Sequence, residues 1–371
     1  MSTHPVTLKS INEVALYQKN LIPASLPDTY ALNPIIQSIA NEENIRTGVV
    51  SFRDFLYVFC DRLISDGHIY AKPPKNPSSA ADYPFLFNVT NLLVDIGYYG
   101  RLDECGNSLI VTNLPSCTAT VDENGKKKSA KISGSALIEC LRFLALCGFA
   151  FNGIDLDAKT ISILETQELV VSYPNNSILL IGLKALAVAD IELRKSRRYW
   201  NDNNLLRCDY RLLMTEEADM VDVLKDFLHP LPKDVQEFSI NLHERYINKG
   251  LNCINTRLGL VSFAYVCLNK NQKTLSERDI YSKRIWEFSY SIRDGYSLVI
   301  RAKKIYKYAD IIKGFPQALR DKIAVGYGCY RKLGRKFCQG DCQGIRIALD
   351  ESILDLSNYI ETWLDIELPS K

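Results

Sequence analysis

The sequence predicts an α+β fold in two or three domains. Three observations predict it: apolar residues recur at helical spacing in several long segments, a β-hairpin pattern lies in the C-terminal part, and proline-rich segments interrupt the chain. A chain of 371 residues is long enough for two or three domains and for a sizeable core without disulfide bonds. We therefore expect helix–Gly–strand units in the N-terminal and middle parts, and an antiparallel sheet with helices at the C-terminus.

The composition is that of an ordinary globular protein, with 47% hydrophobic and 24% charged residues. With 45 basic and 43 acidic residues, the net charge of +2 gives no long-range field that would favour nucleic acid or an acidic membrane surface. No apolar run approaches the roughly 18 residues of a membrane helix, and the first residues lack the pattern of a signal peptide. These features predict a protein that does not enter a membrane.

The cysteines predict a cytoplasmic location. Their number, 11, is odd, and most lie singly in apolar stretches, as at Cys60, Cys140, Cys147 and Cys267. Scattered buried thiols fit a reducing compartment better than a disulfide framework.

We interpret residues 1–78 as an N-terminal helical segment. Apolar residues from Ser51 to Ile64 follow helical spacing, with Ser51 as the N-cap and Gly67 as the residue that ends the helix. The segment 72–84 combines prolines with paired serines, which marks a long loop or a domain boundary.

Residues 79–230 are interpreted as a middle α+β domain that ends near Pro230 and Pro232. A helix, a glycine and then an apolar strand recur at Gly67, Gly97, Gly148 and Gly250. The recurrence fits a diverged internal duplication, but it also fits a common connection, because glycine ends a third to a half of all helices.

Two further segments of this domain differ in how clearly they are patterned. The segment from Ser177 to Leu193 is apolar nearly all round, which predicts a buried helix. The segment from Leu205 to Met214 is ambiguous, and its alternation favours a strand.

Residues 231–371 are interpreted as a C-terminal α+β module. Two β-rich runs flank Asp294-Gly295, which predicts a hairpin. Two short helices, a cysteine-bearing loop, a strand from Gly344 and a last helix to Trp363 follow.

Part of this module resembles known sequences. The resemblance rests on Leu298, the segments Ile305–Ile312 and Phe315–Leu319, and Cys329, Cys338 and Cys342. These residues are similar to the C-terminal part of uncharacterised bacterial proteins whose closing segment carries several cysteines. The relatives carry a further cysteine after the second strand, whereas no cysteine follows Cys342 here. The resemblance implies no activity.

The cysteine loop is the candidate metal site. Cys329, Cys338 and Cys342 are three thiols in C-x8-C-x3-C spacing, and structural zinc takes four ligands. Arg331, Lys332, Arg335 and Lys336 flank them and would lower thiol pKa values, so a reactive thiol is a second interpretation. A loop that closes the module without metal is the favoured one, and we expect no cofactor.

A basic and aromatic cluster is the candidate nucleic-acid site: Arg194, Lys195, Arg197, Arg198 and Trp200. Such side chains can contact phosphates and stack on bases. The favoured interpretation is a solvated helix end, where cations interact well with the helix dipole.

Enzyme motifs are absent from the sequence: there is no P-loop, no G-x-G-x-x-G, no G-x-S-x-G and no H-E-x-x-H. Of the four histidines, His243 lies on a predicted helix, where we expect it to be partly exposed. The sequence therefore favours a non-catalytic cytoplasmic binding or regulatory protein for an unknown small molecule or protein partner. A nucleic-acid-binding regulator that uses 194–200 and Lys126–Lys131, or an enzyme without a recognisable motif, is the alternative.

Overall fold

The structure, a computed structural model, describes residues 7–121, 127–161, 168–193, 205–216, 218–256, 261–268, 283–302, 305–325 and 344–368. Helices and antiparallel sheets occur together, so the α+β prediction is confirmed. The chain forms two compact units, 1–218 and 219–371. The three-part division at residues 78 and 230 stays a prediction. In the described ranges no helix is both long and apolar enough to cross a membrane.

The first unit is mainly helical. Its helices are α1 (Ile11–Lys19), α2 (Pro34–Gln37), α3 (Glu42–Tyr70), α4 (Pro84–Tyr99), α5 (Gly134–Leu146) and α6 (Leu179–Val188). Its strands are β1 (Arg101–Leu102), β2 (Ser108–Val111), β3 (Thr120–Val121), β4 (Lys127–Lys128), β5 (Ala150–Asn152) and β6 (Leu169–Ser172). One antiparallel sheet has the order β1-β2-β6-β5, and β3 pairs with β4.

Helix α6 lies in the core of this unit, as its apolar sequence predicts. Every residue from Leu179 to Leu183 is buried, and α6 packs against both α3 and α4. A π-helical turn at Ala189–Leu193 continues it. Burial on all sides explains why the helix carries no polar face.

Two helix boundaries differ from the prediction. Helix α3 begins at Glu42 and Asn41 is its N-cap, so Ser51 lies inside the helix. Gly67 and Gly97 also lie inside α3 and α4 and do not end them. At each position the missing side chain leaves room for a neighbouring helix to approach closely. Helix-ending glycines in the left-handed region are found at Gly148 (φ 107°) and Gly250 (φ 91°).

The segment from Leu205 to Met214 is not a strand. It forms two 3-10 turns, Leu205–Arg207 and Tyr210–Leu213, whose leucines are buried. Adjacent leucines are buried together at 205–206 and at 212–213, whereas a strand with one buried face would bury only every second residue.

The second unit surrounds a five-stranded antiparallel sheet. Its helices are α7 (Met220–Leu228), α8 (Lys233–Asn248), α9 (Ala309–Lys313), α10 (Gln317–Val325) and α11 (Ser357–Glu367). Its strands are β7 (Asn252–Thr256), β8 (Val261–Val266), β9 (Arg284–Ser291), β10 (Gly295–Ile300) and β11 (Ile345–Ala348), in the order β11-β10-β9-β8-β7. The hairpin predicted around Asp294-Gly295 is confirmed as β9 and β10.

An aromatic core covers one face of this sheet. The Phe227 ring of α7 lies 4.9 Å from that of Phe263 on β8, and the Tyr246 ring of α8 lies 5.6 Å from that of Trp286 on β9, between centroids. Large rings of this kind bury much apolar area each. Helices α7 and α8 thus pack on one face of the sheet. The opposite face carries side chains of a different chemical type.

Candidate functional site

Strand β9 carries two kinds of side chain in alternation. Trp286, Phe288 and Tyr290 are aromatic, whereas Glu287 and Ser289 between them are polar. Because successive side chains of a strand point to opposite faces, β9 has one aromatic and one polar face. All eight residues of β9 are buried, so the polar face is buried as well.

The strand register extends this polar chemistry across the sheet. Ser297 on β10 is opposite Ser289 on β9, and Ser289 is opposite Ser262 on β8. The three serines therefore form one cross-strand row, and each is at most 4% exposed. We define the polar face by this row and its charged neighbours: Ser262, Arg284, Glu287, Ser289, Ser297, Arg301 and Arg346.

Glu287 lies at the centre of the polar face. The Arg284 guanidinium donates to its Oε2 at 2.5 Å, and the Arg301 guanidinium donates to its Oε1 at 2.5 Å. The Ser262 hydroxyl also donates to Oε2, at 3.1 Å. One buried carboxylate thus orients two guanidiniums, and such charge-assisted bonds are stronger than neutral ones.

An irregularity in the β8–β9 pairing accounts for the position of Arg284. Tyr265 is opposite Trp286, but Val266 is opposite Arg284, so β9 has one additional residue at this point. A bulge re-aims side chains, and here the Arg284 side chain reaches Glu287 rather than the aromatic face.

Arg346 on β11 adds a third guanidinium. It lies opposite Val299 in the register, and its Nε is 3.6 Å from the Asp294 carboxylate in the β9–β10 turn. Burial lowers the pKa of Arg346, whereas Asp294 and Glu287 raise it, and Arg293 and Arg284 lower it by smaller amounts. The two carboxylates therefore stabilise the charge of Arg346, and the neighbouring guanidiniums oppose it to a lesser degree.

The polar face differs chemically from a face that only fills space. Burying hydroxyl and guanidinium groups costs free energy unless each is bonded, and apolar residues of similar size are often as stable or more stable. The opposite face of the same sheet shows that this fold accepts aromatic residues. Serine hydroxyls and guanidiniums together can donate hydrogen bonds to the oxygen atoms of a ligand.

A second cluster of titratable groups lies on the aromatic side. The Nδ1 atom of His243 is 2.7 Å from the Tyr265 hydroxyl oxygen, and Cys253 is opposite Tyr265 in the register. The Trp286 ring stacks on the Tyr265 ring with centroids 3.5 Å apart. Burial lowers the pKa of His243 and raises that of Tyr265, so both side chains are held neutral. The expectation that His243 is partly exposed was wrong, because it is 4% exposed.

The residues singled out in the sequence fall mostly outside the described ranges. These are Cys329, Cys338 and Cys342 of the candidate metal site, and Arg194, Lys195, Arg197, Arg198 and Trp200 of the candidate nucleic-acid site. In the second basic segment, Lys127 and Lys128 form β4. The favoured interpretations, a loop without metal and a solvated helix end, and their alternatives, zinc binding and nucleic-acid binding, therefore all stay predictions.

The described cysteines are free thiols: Cys60, Cys105, Cys117, Cys140, Cys147, Cys208, Cys253 and Cys267. No group of three or more His, Cys, Asp or Glu side chains in the described part of the chain is arranged to hold a metal ion. Among described residues, the donors of the polar face are thus the groups best suited to a ligand.

The polar face was missed in the sequence although half of it is visible there. The alternation Trp286-Glu-Phe-Ser-Tyr290 has the period of a strand with two different faces. Arg346 joins it from a distant part of the chain, and Arg284 joins it through the bulge, so neither has a local signal.

Comparison with protein-family models, curated proteins and solved structures finds no match for this chain.

Proposed function

We propose that the protein is a non-catalytic cytoplasmic binding or regulatory protein, and that the polar face of its C-terminal unit binds a small-molecule ligand. The observation that carries this proposal is the cross-strand row of Ser262, Ser289 and Ser297 beside oriented guanidiniums. Ligand sites place a few convergent polar groups on a rigid scaffold, and a sheet core supplies that rigidity.

The balance between stability and specificity supports a binding role. A polar row inside a sheet adds little stability compared with apolar residues of similar size, and recognition of a ligand would account for its presence. Glu287 contributes by fixing Arg284 and Arg301 in place, as positioning residues fix the groups that contact a ligand.

The cytoplasmic part of the proposal is supported by thiol chemistry. The eight described cysteines are unpaired, and several lie in the core, as Cys60 and Cys208 do. Reduced, buried cysteines are typical of proteins in reducing compartments.

The test is to identify small molecules that stay bound during purification from cells. The protein is purified under native conditions, denatured, and its released small molecules are measured by mass spectrometry. We expect one compound to be released from the wild-type protein in an amount close to one molecule per chain. The double variant Ser289→Ala, Ser297→Ala should release much less of it.

The control is Ser65→Ala, which removes an exposed serine of α3 and should keep the compound. Serine to alanine is a small change in a sheet, so we expect the double variant to fold. Circular dichroism and melting curves check that it does. A compound retained by the folded double variant, or no compound in any preparation and no stabilisation by a cell metabolite extract, contradicts the proposal.

A further inference from the structure

We infer that the ligand of the polar face carries an oxyanion, which is either a phosphate or a carboxylate group. Arg301, Arg346 and the hydroxyls of Ser289 and Ser297 donate hydrogen bonds to it. The inference rests on the proposed function, and it adds the ligand's chemical class. It follows from the type of donor, the sign of the charge and the burial of the groups on this face.

The type of donor favours an oxyanion. A guanidinium presents a planar fork of N–H groups that matches carboxylate and phosphate oxygens, and arginine is weakly hydrated compared with lysine. Ser289 and Ser297 are directly opposite each other in the register, so their hydroxyls are adjacent to the same part of a ligand. Both residue types donate hydrogen bonds, which a ligand rich in oxygen accepts.

The charge also favours an anion. Among described residues, Arg284, Arg301 and Arg346 share this region with the carboxylates of Glu287 and Asp294. Asp294 and Glu287 act on Arg346 more strongly than the repulsion from Arg284 does. The three guanidiniums nevertheless outnumber the two carboxylates, and a bound anion would balance this excess positive charge. A cation or metal ion would add to it.

Burial strengthens the interaction. Arg284 and Arg301 are each 5% exposed, and the Arg346 side chain is 16% exposed. In surroundings of low dielectric constant, the attraction between a guanidinium and an anion is several times larger than in water and is less screened by salt. The face therefore suits a small anion of defined shape rather than a loosely held counterion.

Glu287 is a positioning residue in this arrangement. Its two oxygen atoms bond different arginines, so the guanidiniums of Arg284 on β9 and of Arg301, the residue after β10, are held on opposite sides of one carboxylate. A planar ligand group then meets donors that are already ordered, which reduces the entropy cost of binding.

The experiment measures thermal unfolding of the full chain in increasing inorganic phosphate, with malonate as the carboxylate arm and chloride at equal ionic strength as reference. We expect a saturable rise of the melting temperature, roughly 2–5 °C at tenfold excess over half-saturation. A rise in phosphate alone assigns a phosphate ligand, and a rise in malonate alone assigns a carboxylate ligand.

The key variants change Arg346. Arg346→Gln should raise the half-saturating concentration about tenfold to a hundredfold, since a hydrogen bond to a charged group is lost. Arg346→Lys keeps the charge without the fork and should weaken binding less, which also covers the case in which the glutamine variant is unstable. The matched control is Arg62→Gln in α3, whose side chain is 47% exposed and which should bind as the wild type does.

A rise that does not saturate, or that is the same in Arg346→Gln and Arg346→Lys as in the wild type, overturns the inference. Its failure is separable from that of the proposed function. A neutral or cationic compound that the Ser289→Ala, Ser297→Ala variant loses would leave the proposed function standing and remove only the oxyanion.

Discussion

Gly48 on α3 and Gly182 on α6 are in backbone contact. A Cβ atom placed on Gly182 would lie 2.1 Å from the carbonyl oxygen of Gly48. Real Cβ atoms do not approach a backbone oxygen this closely, so the two helices can cross here only because both residues lack side chains. The crossing fixes the core helix of the first unit.

The first prediction concerns this crossing. Gly182→Ala should destabilise the first unit by about 3 kcal/mol, because backbone cannot yield as a side chain can. Gly67→Ala is the matched control: it is also a helical glycine, but its Cβ would meet only side chains, the nearest being that of Ile11 at 3.1 Å. We expect a change below about 1 kcal/mol there, partly offset by the better helix propensity of alanine. Urea unfolding monitored by far-ultraviolet circular dichroism measures both, and equal losses in the two variants would contradict the account.

The second prediction concerns thiol reactivity. Burial raises the pKa of Cys60 to about 12 and raises that of Cys208 also, whereas Cys105 is exposed. Iodoacetamide should therefore label Cys105 in the native protein at least roughly a hundredfold faster than Cys60 or Cys208, which need an opening of the fold. Peptide mass spectrometry after timed labelling measures the rates. All eight described cysteines should label in denaturant, and native labelling of Cys208 at the rate of Cys105 would show that this core is open.

The third prediction concerns His243. Its pKa is lowered by burial, so the folded state binds fewer protons at this site than the unfolded state does. The stabilisation is fully present above the ordinary histidine pKa of about 6.5 and is lost as the pH falls below it. The variant His243→Gln should show a smaller loss of stability between about pH 7 and pH 5 than the wild type.

His68→Gln is the matched control for this pH dependence, because His68 is exposed on α3. It should follow the wild-type profile. Urea midpoints measured at several pH values give the comparison, and identical slopes for the His243→Gln variant and the wild type would exclude His243 as the responsible group.

The fourth prediction concerns Asp95 on α4. Its buried carboxylate accepts a hydrogen bond from the Ser116 N–H at 2.7 Å, and burial raises its pKa. A raised carboxyl pKa means that the folded state favours the protonated form, so this group's contribution declines as the pH rises through the folded-state pKa.

Asp95→Asn keeps an acceptor for the Ser116 N–H and removes the charge. The variant should be at least as stable as the wild type at about pH 7, and its advantage should shrink toward about pH 4. Melting temperatures across that range test this, with Asp82→Asn, a change outside the core, as control. A variant that, relative to the wild type, is less stable at the higher pH than at the lower would contradict the sign.

Sequence patterns were sufficient for elements whose own residues determine them. Helix α6 is apolar on every side, and the Asp294-Gly295 turn with its flanking β-rich runs defines the β9–β10 hairpin. The patterns gave wrong helix ends where a glycine inside one helix makes room for a second helix to pack against it. Gly67 and Gly97 have the local appearance of helix ends, but the residues that approach them, Ile11 and Ala187, are distant in sequence.

The candidate site shows the same division. Glu287 and Ser289 belong to an alternation that is visible in the sequence. The salt bridge between Arg301 and Glu287 depends on how the strands pair, and the position of Arg346 depends on the order of the strands in the sheet. A single-residue irregularity decides the direction of Arg284, and no propensity predicts it. Local chemistry was therefore predictable, but its assembly was not.

The aromatic side of the second unit gives the protein an optical probe. Of the three tryptophans in the chain, Trp286 and Trp363 are fully buried in that unit. An indole removed from water emits at shorter wavelengths than a hydrated one, and the Tyr265 ring lies flat against that of Trp286. With Trp200 replaced by phenylalanine, every photon of tryptophan emission comes from residues 219–371. The emission maximum then follows the second unit alone, while circular dichroism follows both, so a single titration can show whether the two halves of the chain lose their structure together.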